Sequence, residues 1–166
     1  GYAVGTQGIG DSCAPSRQFS EGFEYESLFA SGLLARGYAI AMTDYEGLGT
    51  DGMHTYMDRV SQGHAVIDIV RTSQRMPGTG LTANTPVAFV GYSQGGGGAA
   101  SAAELAGSYA PELKVKGSVA SAVPADLRAL PDAIDGSLYS LFTWFAMAGL
   151  TSSYGIDMSP YLNAEG

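Results

Sequence analysis

Pro86-Val87-Ala88-Phe89-Val90-Gly91-Tyr92-Ser93-Gln94-Gly95-Gly96-Gly97-Gly98-Ala99-Ala100 decides how the rest of the chain is read. The apolar run Pro86–Gly91 is what a strand buried on both faces requires. A small-residue helix is expected from about Gln94 to Ser108. Between the two stands Gly91-Tyr92-Ser93-Gln94-Gly95, which matches G-x-S-x-G. The five-letter pattern is common by chance, but here it follows a buried strand and opens a helix, as a nucleophile elbow demands. Such a turn holds Ser93 in a strained conformation at a helix N-terminus, where free N–H groups favour developing negative charge. Gly91, Tyr92 and Gly95 complete the elbow, and the small residues from Gly95 to Ala100 let helix and sheet approach closely. Ser93 is the candidate nucleophile.

Working outward, Gly1–Gly5 reads as a strand already under way. Residues 24–36 repeat at helical spacing, with Tyr25, Phe29 and Leu33 in one row beside Leu28, Gly32 and Ala35, and Gly37 as a stop. Tyr38–Thr43 is a short apolar strand ending at Asp44. Residues 58–75 are helical with Val60, Gly63, Ile67 and Val70 on one face, and Val115–Ala120 is a further strand. Strands separated by helices of this length are the pattern of crossover units, so the expected class is α/β with a parallel sheet. From Asp126 only helical spacing remains, through Leu127, Leu130, Ile134, Leu138, Leu141, Phe145 and Ala148. The expected organisation is an α/β core over 1–124 and the start of a helical cap over 125–166, with an ordinary closing helix as the alternative for the second part.

The 166 residues are enough for about one domain with a real core. Charged residues are 14%, hydrophobic residues 45%, and mean hydropathy is +0.06, which excludes a disordered chain. A net charge of -8 gives no general attraction to nucleic acid or to an anionic membrane. No apolar run reaches the roughly 20 residues of a spanning helix. The 24 glycines have no three-residue period, which excludes collagen. The chain has neither an initiator Met nor a signal pattern at its start, and no closing element at Asn163-Ala164-Glu165-Gly166, so a piece of a longer protein is expected. Cys13, the lone cysteine, is either a free loop thiol or half of a disulfide reaching outside these residues.

A serine hydroxyl needs a base and an oxyanion hole. The backbone N–H of Gln94 is the obvious first donor. A second must come from a loop at the carboxyl end of a neighbouring strand, either Thr6-Gln7-Gly8-Ile9-Gly10 or Asp44-Tyr45-Glu46-Gly47. The base is missing. His54 and His64 both precede Ser93, whereas an α/β-hydrolase runs serine, acid, histidine. His64 shares a polar helical arc with Asp68, Arg71 and Arg75 and reads as a surface residue. His54 follows the Asp44 loop and, with Tyr45, is a candidate lining of the site mouth, and it is the one residue here that is an alternative base. The acids after the serine are Glu104, Glu112, Asp126, Asp132, Asp135, Asp157 and Glu165, most of them in helices or the cap. The triad acid and histidine are therefore expected to be absent from this chain.

Gly5-Thr6-Gln7-Gly8 through Cys13-Ala14-Pro15-Ser16, Asp44-Tyr45-Glu46-Gly47-Leu48-Gly49-Thr50, His54-Thr55-Tyr56 and Gly91-Tyr92-Ser93-Gln94-Gly95-Gly96 together resemble the secretory lipase family of fungi and actinobacteria over nearly the whole chain. The resemblance implies an α/β-hydrolase core, a mostly helical cap inserted after the strand following the nucleophile, and an exported triacylglycerol lipase or esterase. It implies Ser93 as nucleophile and Asp44 with Gln94 at the oxyanion hole, which turns the choice from the Gly8 loop to Asp44. It also implies that the acid and histidine lie beyond Gly166.

Tyr139, Phe142, Trp144 and Phe145 are candidates for binding acyl chains or meeting a lipid surface, with cap core as the plainer reading. No metal or organic cofactor is expected, because no His/Cys/Asp cluster has ligand spacing. The expected partner is a lipid or small ester, with no nucleic acid and no obligate protein. A cutinase-like esterase shares the Gly-Tyr-Ser-Gln-Gly elbow, but its acid and histidine follow the serine closely, and here no histidine follows Ser93. A non-catalytic binding domain on a decayed hydrolase fold is the rival from another class.

Overall fold

The chain folds, in a computed structural model that describes residues 1–163, around a three-stranded parallel sheet. The strands are β1 (Tyr2–Ala3), β2 (Pro86–Tyr92) and β3 (Lys114–Ser121), in the order β1-β2-β3. Tyr2 pairs with Val90 and Gly91 with Ala120, and the β2–β3 register slips after Val87, which leaves Lys116 bulged. The run Pro86–Gly91 alternates rather than being buried throughout. Val87, Phe89 and Gly91 point into the core, while Val90 is half-buried and Tyr92 exposed on the other face.

Helix α3 (Arg59–Arg75) and helix α4 (Gln94–Tyr109) cover the core face. Asp58 starts α3 by accepting hydrogen bonds from the N–H groups of Val60 and Ser61 at 2.9 Å, the ordinary role of an N-cap aspartate. The buried stripe of α3 is Gln62, Gly63, Val66, Ile67 and Val70, so the expected face holds except for Val60, which is exposed. Val4, Val66, Ile67, Phe89, Ala99 and Ala102 form the centre of the core. Gly63 is required there, since a Cβ would strike Ser101 and Leu105 of α4.

Two expectations are corrected. The strand at Tyr38–Thr43 is extended chain with a single bridge, Met42 to Tyr2, because β1 offers only two paired residues. The helix at 24–36 is shorter: α2 runs Ser27–Leu34, since the carboxylate of Glu26 is drawn under the loop after β1. Of its row only Leu33 packs on the core, Ala30 is the buried residue, and Tyr25 and Phe29 are exposed. Residues 15–21, for which the sequence offered no element, form α1 (Pro15–Glu21), opened by a proline at its start and closed by Gly22 in the left-handed region.

No strand follows β3 among the described residues. Helices α5 (Leu130–Ile134) and α6 (Leu141–Tyr154) succeed one another instead. Helix α6 meets the core through Gly149, where a Cβ would strike the Tyr56 backbone, and through Phe145, whose ring is edge-on to Tyr56 at 6.0 Å. Phe142 lies against Phe145, while Tyr139 and Trp144 are exposed. Glu165 and the remainder of 164–166 lie outside the described residues.

Candidate active site

Ser93 sits between β2 and α4 with φ 57° and ψ −121°, a combination that L-residues adopt only under strain. Its surroundings over-determine it. Ser93 N–H donates to the Ser121 carbonyl at 3.0 Å, tying the elbow to the end of β3. A Cβ on Gly91 would collide with the Gly95 carbonyl, one on Gly95 with the Ala3 carbonyl, and one on Gly96 with the Ser121 carbonyl. The glycines of the elbow are therefore contact surfaces for neighbouring backbone. The Ser93 hydroxyl does not cap α4, and the residue is half-buried. Gln94 is the first residue of α4, so its backbone N–H is one of the helix's orphan donors.

The loops flanking the elbow are fixed by hydrogen bonds. Gly5 N–H donates to Glu26 Oε1 at 2.7 Å, and the Gln7 amide donates to Glu24 Oε1 at 3.0 Å. Burial pushes the Glu24 carboxyl above its usual range, against the lowering effect of a hydrogen bond from the Glu26 backbone N–H. Asp44 accepts from both the backbone N–H (2.7 Å) and the hydroxyl (2.5 Å) of Ser16. Its two carboxylate oxygens thus serve the start of α1. Tyr45 takes φ 63° and donates its hydroxyl to the Val4 carbonyl at 2.8 Å, and burial raises its pKa well above the ordinary value. It is buried at 6% exposure, in the core rather than at a mouth.

His54 is also not at a mouth. It is fully buried at 0% exposure between the rings of Tyr45 and Tyr56. Its Nδ1 lies 2.9 Å from the Glu46 carbonyl and its Nε2 lies 2.9 Å from the Gln94 side-chain nitrogen. A carbonyl only accepts, so Nδ1 carries the hydrogen and Nε2 accepts from the Gln94 amide. Burial lowers the His54 pKa below its usual 6.5, against the raising effect of the Glu46 carbonyl and carboxylate. The ring is a neutral link with both nitrogens engaged.

His64 is partly buried and stacks on Tyr109 at 3.7 Å in the seam between α3 and α4. The acids after Ser93 have other duties. Glu104 pairs with Arg59, Glu112 with Arg71, and Asp126 and Asp157 accept backbone N–H groups of their own turns. Asp132 and Asp135 are exposed. Among the described residues no group of three His, Cys, Asp or Glu is placed to hold a metal ion. Cys13 is a free, half-buried thiol beside Gly8. A pocket of about 290 Å³ opens beside Gly91 and Tyr92, between Tyr2, Phe29, Glu26 and Val119.

The model of the family described as Secretory lipase matches residues 16–164. The chain belongs to the secretory lipase family. Within that family it is 33% identical over 150 residues to the secreted triacylglycerol lipase LIP4 of Malassezia globosa, covering 87% of this chain and 32% of that protein. It is also 33% identical over 131 residues to a Mycobacterium tuberculosis protein named "Probable inactive lipase", covering 79% of this chain and 28% of the other. The fold superposes on Candida antarctica lipase A in its closed state with a TM-score of 0.83 and 25% identity, over 99% of this chain and 40% of that one. The α/β fold is that of lipase A. The chain spans about a third of the length of the curated secretory lipases it matches.

Two features of the site were missed in the sequence. Glu24 and Glu26 were absorbed into a helix, although paired acids flanking Tyr25 sat poorly on an apolar row. Ser16, the anchor of Asp44, carried no signal, because its partner is 28 residues away.

Proposed function

We propose that the protein is a serine carboxylic-ester hydrolase, a lipase or esterase acting on lipid esters such as triacylglycerols. The strained Ser93 at the N-terminus of α4, immediately before a buried Gln94, carries this reading. Ser93 Oγ attacks the ester carbonyl and forms an acyl-enzyme with departure of the alcohol, and water then releases the acid. The Gln94 N–H donates to the oxyanion. The second donor is Asp44 through its backbone N–H, since its carboxylate oxygens already accept from Ser16 and acceptors repel an oxyanion. The proton-shuttling histidine and its acid come from sequence in the two thirds of the relatives that this chain does not span.

Residues from 125 onward form the beginning of a cap, and the exposed Tyr139 and Trp144 meet the lipid phase while Phe142 and Phe145 hold α6 to the core. The protein acts outside the cell, as the secreted relatives' names say of them. Among the described residues no helix is long and apolar enough to cross a membrane. A second reading, a non-catalytic domain on the same fold, is favoured by the Mycobacterium relative whose name marks it inactive.

Hydrolysis of p-nitrophenyl butyrate and of a tributyrin emulsion, by the protein as its source produces it and by its Ser93→Ala variant, tests the proposal. Loss of more than about 10³-fold in kcat is expected, as for removal of a triad nucleophile. A Ser93→Ala variant with the wild-type rate sinks the assignment.

A further inference from the structure

Resting on the hydrolase reading, we infer that His54 is a positioning residue that ties together the two backbone stretches bearing the oxyanion donors. One end of the imidazole is fixed on the Glu46 carbonyl, two residues from Asp44. The other end is fixed on the side chain of Gln94, the residue after the nucleophile. The two stretches lie 40 residues or more apart in sequence, and His54 bridges them in a site closed to water.

The hydrogen-bond pattern admits one state of the ring. A protonated His54 would point Nε2–H at the Gln94 amide nitrogen, donor against donor, and would bury a charge without an acceptor at that end. The neutral Nδ1–H form satisfies both ends. The same pattern excludes His54 as the general base, because the only lone pair on the ring is directed at Gln94. What the ring controls is alignment. An oxyanion donor acts at about 2.7–3.1 Å from the developing charge, and displacement of order 1 Å costs roughly 10²-fold. Tyr45 and Tyr56 hold the ring in its plane from either side, and Tyr56 is itself fixed by the Thr6 hydroxyl at 2.8 Å. Tyr45, Glu46 and Tyr56 from one loop and Gln94 from the start of α4 thus converge on one buried imidazole.

Variants that keep one end at a time test this. His54→Gln retains an acceptor at the Nε2 position, His54→Asn retains a donor at the Nδ1 position, and His54→Phe retains only the bulk. With a soluble ester, His54→Phe should lower kcat about 10- to 100-fold with KM within about twofold. His54→Gln should recover most of that loss. Combined with Gln94→Ala, His54→Phe should cost clearly less than it does alone, because the partner is already gone. Melting curves on the same samples report the folded fraction. Equal kcat in His54→Phe and wild type overturns the inference, and so does full additivity with Gln94→Ala. Loss in His54→Gln as deep as in His54→Phe, with the acidic limb of the pH profile removed, would make the residue a base instead.

Ring ¹⁵N spectra of the protein supply a readout that needs no activity. A protonated Nδ1 and a bare Nε2 across neutral pH are expected, and an Nε2–H tautomer or a charged ring contradicts the inference. A protein that carries the triad histidine and acid yet hydrolyses no ester while showing the expected tautomer refutes the hydrolase reading, and the catalytic consequence with it, but leaves the buried contact standing.

Discussion

The elbow and the helical segment after residue 125 are built in opposite ways. Around Ser93 the backbone itself is the packing surface: Gly91, Gly95 and Gly96 press on carbonyls, Gln94 and His54 are sealed from water, and each loop has a hydrogen bond to another. In α6 most apolar residues are only half-buried and Leu141, Trp144 and Tyr154 are exposed, and attachment to the core rests on Gly149 and Phe145 against Tyr56. The first region has no slack and stores strain. The second has few contacts to lose, which places it at the low-stability end of the molecule.

The sharpest way to break the comparison is at Gly95. Gly95→Val should prevent native folding, because its side chain falls on the Ala3 carbonyl and no flexible neighbour can yield. A soluble variant with a cooperative wild-type melt would show that the elbow is not rigid.

Strain at the nucleophile is the next effect. Ser93→Gly should abolish hydrolysis and still raise stability by about 1 kcal/mol, since glycine tolerates φ 57° at less cost than serine does. That corresponds to roughly 2–4 °C in Tm for a domain of this size. A lower Tm would mean that the elbow stores no strain.

A pH effect follows from His54. Burial lowers its pKa below 6.5, so the unfolded chain takes up a proton as pH falls through that value while the native ring does not. Stability should be level above about pH 6.5 and decline below it. The difference between wild type and His54→Gln in pH-dependent melts isolates this group from Glu24, whose raised carboxyl pKa acts in the opposite sense. Parallel curves for the two proteins would contradict a neutral buried ring.

On the cap side the effects should be small for stability and specific for substrate. Trp144→Ala should change Tm by less than about 0.5 kcal/mol equivalent, as exposed substitutions do. It should slow attack on a tributyrin emulsion and spare the soluble ester. Equal losses on both substrates would remove the lipid-contact reading and make Trp144 an ordinary surface residue.

The same division governs what was legible in the sequence. The elbow could be read because its constraints are local: five residues, a strand before and a helix after. Helix α3 could be read for the same reason, from its apolar stripe. What failed was set at a distance. Tyr38–Thr43 carries a strand's composition but finds only two residues of β1 to pair with, and the start of α2 is moved by a hydrogen bond to Gly5. His54 was read from its place in the chain as a lining residue, because nothing in its neighbours reveals that Gln94, 40 residues on, donates to it. Tertiary hydrogen bonds between loops leave no periodicity to detect.

The central claim is that Ser93 is an activated nucleophile. The direct test is labelling with a serine-directed fluorophosphonate, applied to the protein as its source produces it, with the adduct located by peptide mass spectrometry. The account predicts a single adduct on Ser93 and none in Ser93→Ala. An unlabelled wild type, or an adduct that survives the substitution, would contradict it.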